Sequence, residues 1–305
     1  MSMDTKSIKY FITCYEMRSL NRAAQSLYIT PQGLGKTINR LEEELHVKLF
    51  DRSARGLIPT KSADYLYGRG RELMFLLQEI TLEMNRLQED EKKIKIGYSC
   101  GAMRLIPVDD LEKHLAEMDS VSLEWVEGFN DEIEEKLLQG ETDAVFMTTA
   151  SGSPAAESRK IFSRRLCAVV YEGHPFYECD SVTMKDLEGE TLITLSEKYQ
   201  TYHLVQQRCQ ELDFVPSIHI RTMESSLIYM LVSQKKGIGI DVDIHDNYVH
   251  YPVRMITISD SIPWTLYAVC LKHRMNDPIL ADIIDFADKT VNEGHHSISQ
   301  EVKHG

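Results

Sequence analysis

Thr30 followed by Pro31 is the local signal that most constrains this chain. A threonine side chain caps a helix start, and proline fits the first helical position, where its missing N–H costs no hydrogen bond. The helix they open carries Leu34, Ile38, Leu41 and Leu45 at steps of four, three and four. At about 100° per residue these fall on one buried stripe, with Gln32, Lys36 and Asn39 on the opposite side. Upstream, Ile8, Phe11, Ile12 and Tyr15 recur three and four apart. Ser19 is placed to cap a second helix through Leu27, whose small pair Ala23 and Ala24 lets another helix approach closely. Downstream, Asp51 to Thr60 reads as a basic turn between two short extended runs, the pattern of a small β-wing.

Thr60 then opens a long helix to about Glu89. Its apolar residues Leu73, Leu77, Ile80, Met84 and Leu87 alternate steps of four and three. A 3.5-residue period marks a helix that packs along another helix, most simply that of a second subunit, although core packing in one subunit gives the same pattern. From Lys93 the chain alternates between strands and helices. Strand patterns at 94–98, 121–126 and 143–147 are separated by helices at 103–118 and 131–139. After a loop at 151–158 come strands at 166–171, 192–195, 218–222 and 238–242, with helices at 199–211 and 224–234. Residues 264–271 read as a late strand and 278–291 as a closing helix. The alternation predicts largely parallel sheets, and the two successive blocks predict two lobes.

At 305 residues the chain exceeds one ordinary domain. With 43% hydrophobic and 27% charged residues it has the composition of a folded protein. No apolar run approaches the roughly 18 residues of a membrane span, and the polar start at 1–6 lacks a signal-peptide core, so a cytoplasmic protein is expected. The net charge of -13 is unevenly spread. Residues 1–61 hold ten lysines and arginines against six aspartates and glutamates, which leaves 24 basic and 41 acidic residues in the rest. A basic head on an acidic body fits one domain with an anionic partner. The six cysteines have no Cys-x-x-Cys pair, and the groups Asp243, His245, Asp246, His250 and His295, His296, His304 read as polar loop and tail. No metal and no cofactor are expected.

These residues resemble a known family. Residues 8–67 are similar to the DNA-binding domain of LysR-type transcriptional regulators through SLNRAAQSL at 19–27, ITPQGLGKTI at 29–38, RLEEEL, KLFDR and RGLIPT. KIKIGYS at 93–99 and LVSQKKGIGI at 231–240 resemble the family's effector domain. The resemblance implies an all-α winged helix-turn-helix domain at 1–60 and a dimerising linker helix at 61–90. An α/β effector domain at 91–305 would follow, with two lobes like those of periplasmic binding proteins. The implied partners are double-stranded DNA and a small-molecule effector, in a homodimer or homotetramer. A chain of this class regulates transcription and is not an enzyme.

Chemistry assigns candidate roles within that frame. Lys36 suits a base or phosphate, Gln32 and Asn39 suit bases, and Thr30 suits a phosphate as well as its cap. The wing offers Arg55 to the groove or a phosphate, while Arg52 serves either DNA or the wing itself. A solvated helix face is the alternative. Gly35 stands where the family often has serine, so no hydroxyl contact carries over there, and its lack of a side chain would let the helix approach the DNA backbone. Ser99, Cys100 and Gly101, between a strand and a helix, offer a helix start to an anion. Facing candidates are Thr148, Thr194, Ser196 and Thr222, each of which reads equally as a routine cap. No arginine has an obvious place in the site, although Arg104 or Arg221 could fold inward, and the expected effector is a small organic acid or similar metabolite. Cys100 lacks the partner spacing of a redox pair, and the Gly237-Ile238-Gly239 run follows a helix, which makes it a tight turn. The alternatives are a solute-binding or enzymatic α/β protein with an accessory helical head, for which no signal peptide or catalytic grouping is found, and a DNA-binding protein whose acidic body recognises a protein.

Overall fold

The computed structural model describes residues 3–53, 56–86, 92–118, 121–244 and 251–301. Arg55, Leu87, His245, Asp246, His250 and His304 lie outside the described residues, as do the side chains of Arg52, His295 and His296. Two compact units, Met1–Glu89 and Asp90–Gly305, each carry their own core.

The first unit contains α1 (Thr5–Met17), α2 (Leu20–Ser26), α3 (Pro31–Leu45), the antiparallel pair β1 (Phe50–Ser53) and β2 (Gly56–Pro59), and α4 (Lys61–Arg86). Each early helix starts on a side-chain cap. Asp4 and Ser7 form a reciprocal capping box, Ser19 accepts from Arg22 N, and Thr30 Oγ1 accepts from Gly33 N at 3.2 Å. The stripe of α3 packs as its spacing predicts, with Leu34, Ile38 and Leu41 buried against Phe11, Cys14, Ala23 and Ala24. Gly56 fixes the wing. Leu57 N donates to Arg18 O at 2.9 Å, and a Cβ at Gly56, whose φ is +120°, would sit 2.4 Å from that same oxygen.

Gly35 corrects an expectation. It is buried, and a Cβ there would meet Leu20 Cδ2 at 3.4 Å, so the residue faces α2 and not DNA. That spacing is ordinary van der Waals contact. Gly35→Ala is therefore expected to keep DNA affinity and to raise stability by up to about 1 kcal/mol through helix propensity alone. Thermal unfolding checks this, and a large drop in melting temperature would show a tighter α2–α3 contact.

The second unit holds two mixed sheets. Its first sheet has the order β4-β3-β5-β13-β6, built from β3 (Lys92–Ser99), β4 (Val121–Gly128), β5 (Ala144–Met147), β6 (Ala156–Arg164) and β13 (Trp264–Leu271), with helices α5 (Val108–Leu115) and α6 (Asn130–Leu138). The second has the order β10-β9-β11-β7-β12-β8. Its strands are β7 (Leu166–Tyr171), β8 (Ser181–Val182), β9 (Thr191–Leu195), β10 (Ser217–Thr222), β11 (Ile238–Val242) and β12 (Val253–Ile258), and its helices are α7 (Gln200–Glu211) and α8 (Ser225–Ser233). α9 (Pro278–Glu301) ends the described chain. Two ion pairs from Arg159 of β6 to Asp285 and Asp288, and His114 of α5 on Asp282, hold it to the first lobe.

The lobes are not simply successive. β13 returns after the second lobe to pair antiparallel with β5 and β6 in the first sheet. The chain therefore crosses between the lobes twice, once between β6 and β7 and once between β12 and β13. The crossings are tied together where Leu166 N donates to buried Ser261 Oγ at 3.0 Å. β7 pairs antiparallel with both β11 and β12, so each sheet joins parallel pairs to antiparallel ones where largely parallel sheets were expected. The helix expected at 103–118 is broken. Pro107, which disfavours helical backbone at the residue before it, separates a short 3-10 turn at Ala102–Arg104 from α5. Gly237 ends the turn into β11 with φ +152°, where a Cβ would lie 2.4 Å from Thr191 O, so it is the tight turn the sequence implied.

Candidate functional site

On the first unit, α3 turns Gln32, Lys36 and Asn39 to solvent on the side opposite its buried stripe. Among the described residues Lys36 makes no ion pair. The helix is locked to the wing by Glu42, a residue the sequence reading passed over. Its carboxylate, 6% exposed, accepts from Leu49 N at 2.7 Å, Phe50 N at 3.1 Å and Lys48 Nζ at 2.8 Å. Burial alone would raise this carboxyl's pKa, yet the three donors hold it below the ordinary value. The signal was present as the third residue of RLEEEL, but nothing in the sequence says which of three glutamates turns inward.

In the second unit a cavity of about 340 Å³ opens between the two sheets. The first lobe contributes Ser99, Cys100, Gly101, Arg104, Asn130 and Thr148 to its walls. Residues of the second lobe that line it include Tyr199, Thr201, Ser225 and Asp241. Ser99 ends β3, is 2% exposed, and its hydroxyl has no hydrogen-bond partner among the described residues. Thr148 follows β5 and is bound to Asn130, whose Nδ2 donates to Thr148 Oγ1 at 2.8 Å and whose Oδ1 accepts from Thr148 N at 3.0 Å. Cys100 N and Sγ both donate to Gly128 O, at 3.0 and 3.4 Å. Burial and Glu127 push the Cys100 thiol's pKa up, which keeps it protonated and weakly nucleophilic.

The structure brings Ser99, Cys100, Gly101 and Thr148 to one cavity and places the other three expected residues off its wall. Thr194 is fully buried with its hydroxyl unpaired. Thr222 Oγ1 turns to the Glu224 backbone as a cap, and Ser196 Oγ donates to Met223 Sδ. The expected helix start at Ser99–Gly101 is only a three-residue 3-10 turn, too short to sum a helix dipole toward an anion. Its last residue, Arg104, one of the two arginines that could fold inward, lines the cavity. Arg221, by contrast, pairs with Glu197 at 3.7 Å. Sequence spacing alone did not reveal Asp241. Tyr229 OH donates to its Oδ2 at 3.0 Å and Val242 N to its Oδ1 at 2.8 Å, but burial outweighs these bonds and the pull of Arg104, and pushes its carboxyl pKa up.

A winged helix-turn-helix unit joined to a two-lobed α/β unit with a cleft is the architecture of a ligand-responsive DNA-binding regulator. Two family models match the chain: the bacterial regulatory helix-turn-helix protein of the lysR family over residues 5–64, and the LysR substrate binding domain over residues 87–291. The chain belongs to the LysR family of transcriptional regulators. It is 26% identical over 273 residues to the regulator XapR of Escherichia coli, covering 87% of this chain and 91% of that one. In fold it is similar to HinK, a LysR family regulator from Pseudomonas aeruginosa, with a TM-score of 0.58, 21% identity and coverage of 95% of this chain and 99% of that one. The effector-binding domain of QuiR, solved in complex with shikimate, matches with a TM-score of 0.57 and 22% identity over 67% of this chain and 99% of that one. Its two matched domains make it a DNA-binding transcriptional regulator with an effector-binding domain. No helix among the described residues is long and apolar enough to cross a membrane.

Proposed function

We propose that this regulator reads duplex DNA through Thr30, Gln32, Lys36 and Asn39 of α3 together with Arg52 and Arg55 of the wing. It acts in the cytoplasm without catalysis, as a homotetramer of dimers joined through α4. A small organic acid in the cleft would alter the arrangement of the subunits, and so the spacing of the DNA sites they hold. Such gating requires that the ligand favour one arrangement over the other. The relative QuiR, whose effector-binding domain takes shikimate, supports an acid of this size. The observation that carries the cleft assignment is the Ser99 hydroxyl, 2% exposed, without a partner and on the cavity wall. A buried hydroxyl that lacks a partner costs about 1–3 kcal/mol, which a bound acceptor recovers. Arg104 supplies the charge for a carboxylate and Thr148 a further hydroxyl.

Thermal-shift screening of metabolite acids, followed by substitution, tests this assignment. Stabilisation by a hit should fall with Ser99→Ala and with Thr148→Val. It should persist in Thr194→Val, which removes only an enclosed, unpaired hydroxyl and leaves stability equal or higher. A hit that survives both cavity substitutions undiminished binds elsewhere and removes the assignment.

A further inference from the structure

We infer that the effector of this cleft carries a cationic nitrogen, which pairs with Asp241, in addition to its carboxylate. The inference rests on the reading of the cavity as the effector site. Asp241 lies on β11, is 5% exposed and lines the cavity. Its oxygens are met by the Tyr229 hydroxyl and the Val242 amide, and the Ser225 side chain also hydrogen-bonds to the carboxyl, all neutral donors. Arg104 is the cation whose pull reaches it, and the cost of burial outweighs that pull. A carboxylate taken out of water with only neutral donors on its oxygens is costly, and leaving one at a ligand-sized cavity is consistent with a counter-charge that arrives with the ligand.

The rest of the wall agrees. Its ionisable carboxylates are Glu127, Glu224 and Asp241, against the cations Arg104 and Lys198, so a fully ionised wall is negative. Lys198 Nζ lies 4.6 Å from the centre of the Phe129 ring, where the ring face engages it. A purely anionic effector would bring a second negative charge toward the desolvated Asp241. A molecule with one carboxylate and one protonated amine meets Arg104 and Ser99 from the first lobe and Asp241 from the second. Such a molecule touches both lobes with opposite charges, and an amine-free acid lacks the second attachment.

The experiment uses the full chain and matched pairs of probes: alanine against propionate, aspartate against succinate, 4-aminobutyrate against butyrate, and the remaining protein amino acids. The expected result is a melting-temperature rise with at least one amino compound and none with its deaminated partner. Calorimetric affinity for that compound should then drop about 30-fold or more in Asp241→Asn, the scale set by removing one partner of a buried charge pair. The wild-type comparison of matched pairs needs no variant, so it stands even where Asp241→Asn fails to fold. The inference is overturned by an amine-free acid that binds as well as its amino partner, by a hit indifferent to Asp241→Asn, or by a panel in which no amino compound shifts melting. A hit lost with Ser99→Ala but indifferent to the amine leaves the cleft standing and removes only the cation. One indifferent to both Ser99→Ala and Asp241→Asn removes the cleft as well.

Discussion

Replacing Ile80 with aspartate is expected to dissociate the assembled protein into smaller species. Ile80 lies on α4 and is 53% exposed within the single chain, in a stripe with Leu73, Leu76, Leu77 and Met84, all exposed. A helix that shows an apolar seam to water at a 3.5-residue spacing is stable when a second helix covers it. Charging the middle of that seam places two carboxylates in a two-fold contact, with no cation among the seam residues named. Burying an unpaired carboxylate costs several kcal/mol, so the dissociation constant should rise by at least about 100-fold. Light scattering or sedimentation reads the mass directly. An unchanged mass at low protein concentration would show that the stripe is covered in some other way, and the dimer reading of α4 would fall.

Glu42→Ala is the second substitution of large expected effect. It leaves the buried amides of Leu49 and Phe50 without their acceptor and frees Lys48, which amounts to about 1–3 kcal/mol for each amide. The wing should then separate from α3, and the first unit should melt earlier and lose DNA affinity, while the thermal response of the second unit to a cleft ligand is retained. The pH dependence has a definite sign. Because the folded carboxyl's pKa is held below its ordinary value, its stabilising contribution is full above the unfolded pKa and is lost as pH falls through the folded one. Acid melts of the wild type should show this loss, and those of Glu42→Ala should be flatter over the same range. Equal acid sensitivity in both proteins would contradict the role given to Glu42.

Asp241 has the opposite sign. Burial raises its pKa, so the folded state holds its proton better than the unfolded one, and stability declines as pH rises from the unfolded value through the folded one. Unliganded Asp241→Asn is for this reason compatible with a fold at least as stable as the wild type near neutral pH.

Much of the first unit was legible because its signals are local. Thr30 and Pro31 cap and start α3, Ser19 caps α2, and the apolar stripe of α3 faces where its period puts it. What escaped is what depends on distant partners. Gly35 packs on Leu20 across the helix pair, Glu42 turns inward to a strand that starts eight residues later, and β13 returns across the whole second lobe to enter the first sheet. β6 was not expected, since the loop was placed at 151–158 and four of the nine residues of its AESRKIFSR run are charged. That pattern is understandable in an edge strand, which pairs on one side only and keeps charge toward water. Ser99, Cys100, Gly101 and Thr148 share one cavity wall because they lie at or just after strand ends, where the sequence pattern also put candidate binding groups. Thr194 and Thr222 were drawn in by the same rule, but their hydroxyls are enclosed or turned to backbone. Asp241 carries no local motif, and Arg104 was only one of two arginines that could fold inward; the folded sheets bring both to one cavity.

In the proposed function the basic head of this acidic chain reads DNA and its cleft gates that reading. Footprinting on the DNA upstream of its own gene, over a series of salt concentrations and with and without a cleft ligand, tests it most directly. The account predicts a two-fold symmetric protected region whose affinity falls steeply with salt, in proportion to the phosphates contacted. Protection should weaken in Lys36→Ala, and its extent should change when the ligand is added. Protection that is absent, insensitive to salt, or identical with and without a ligand proven to stabilise the protein would contradict the claim.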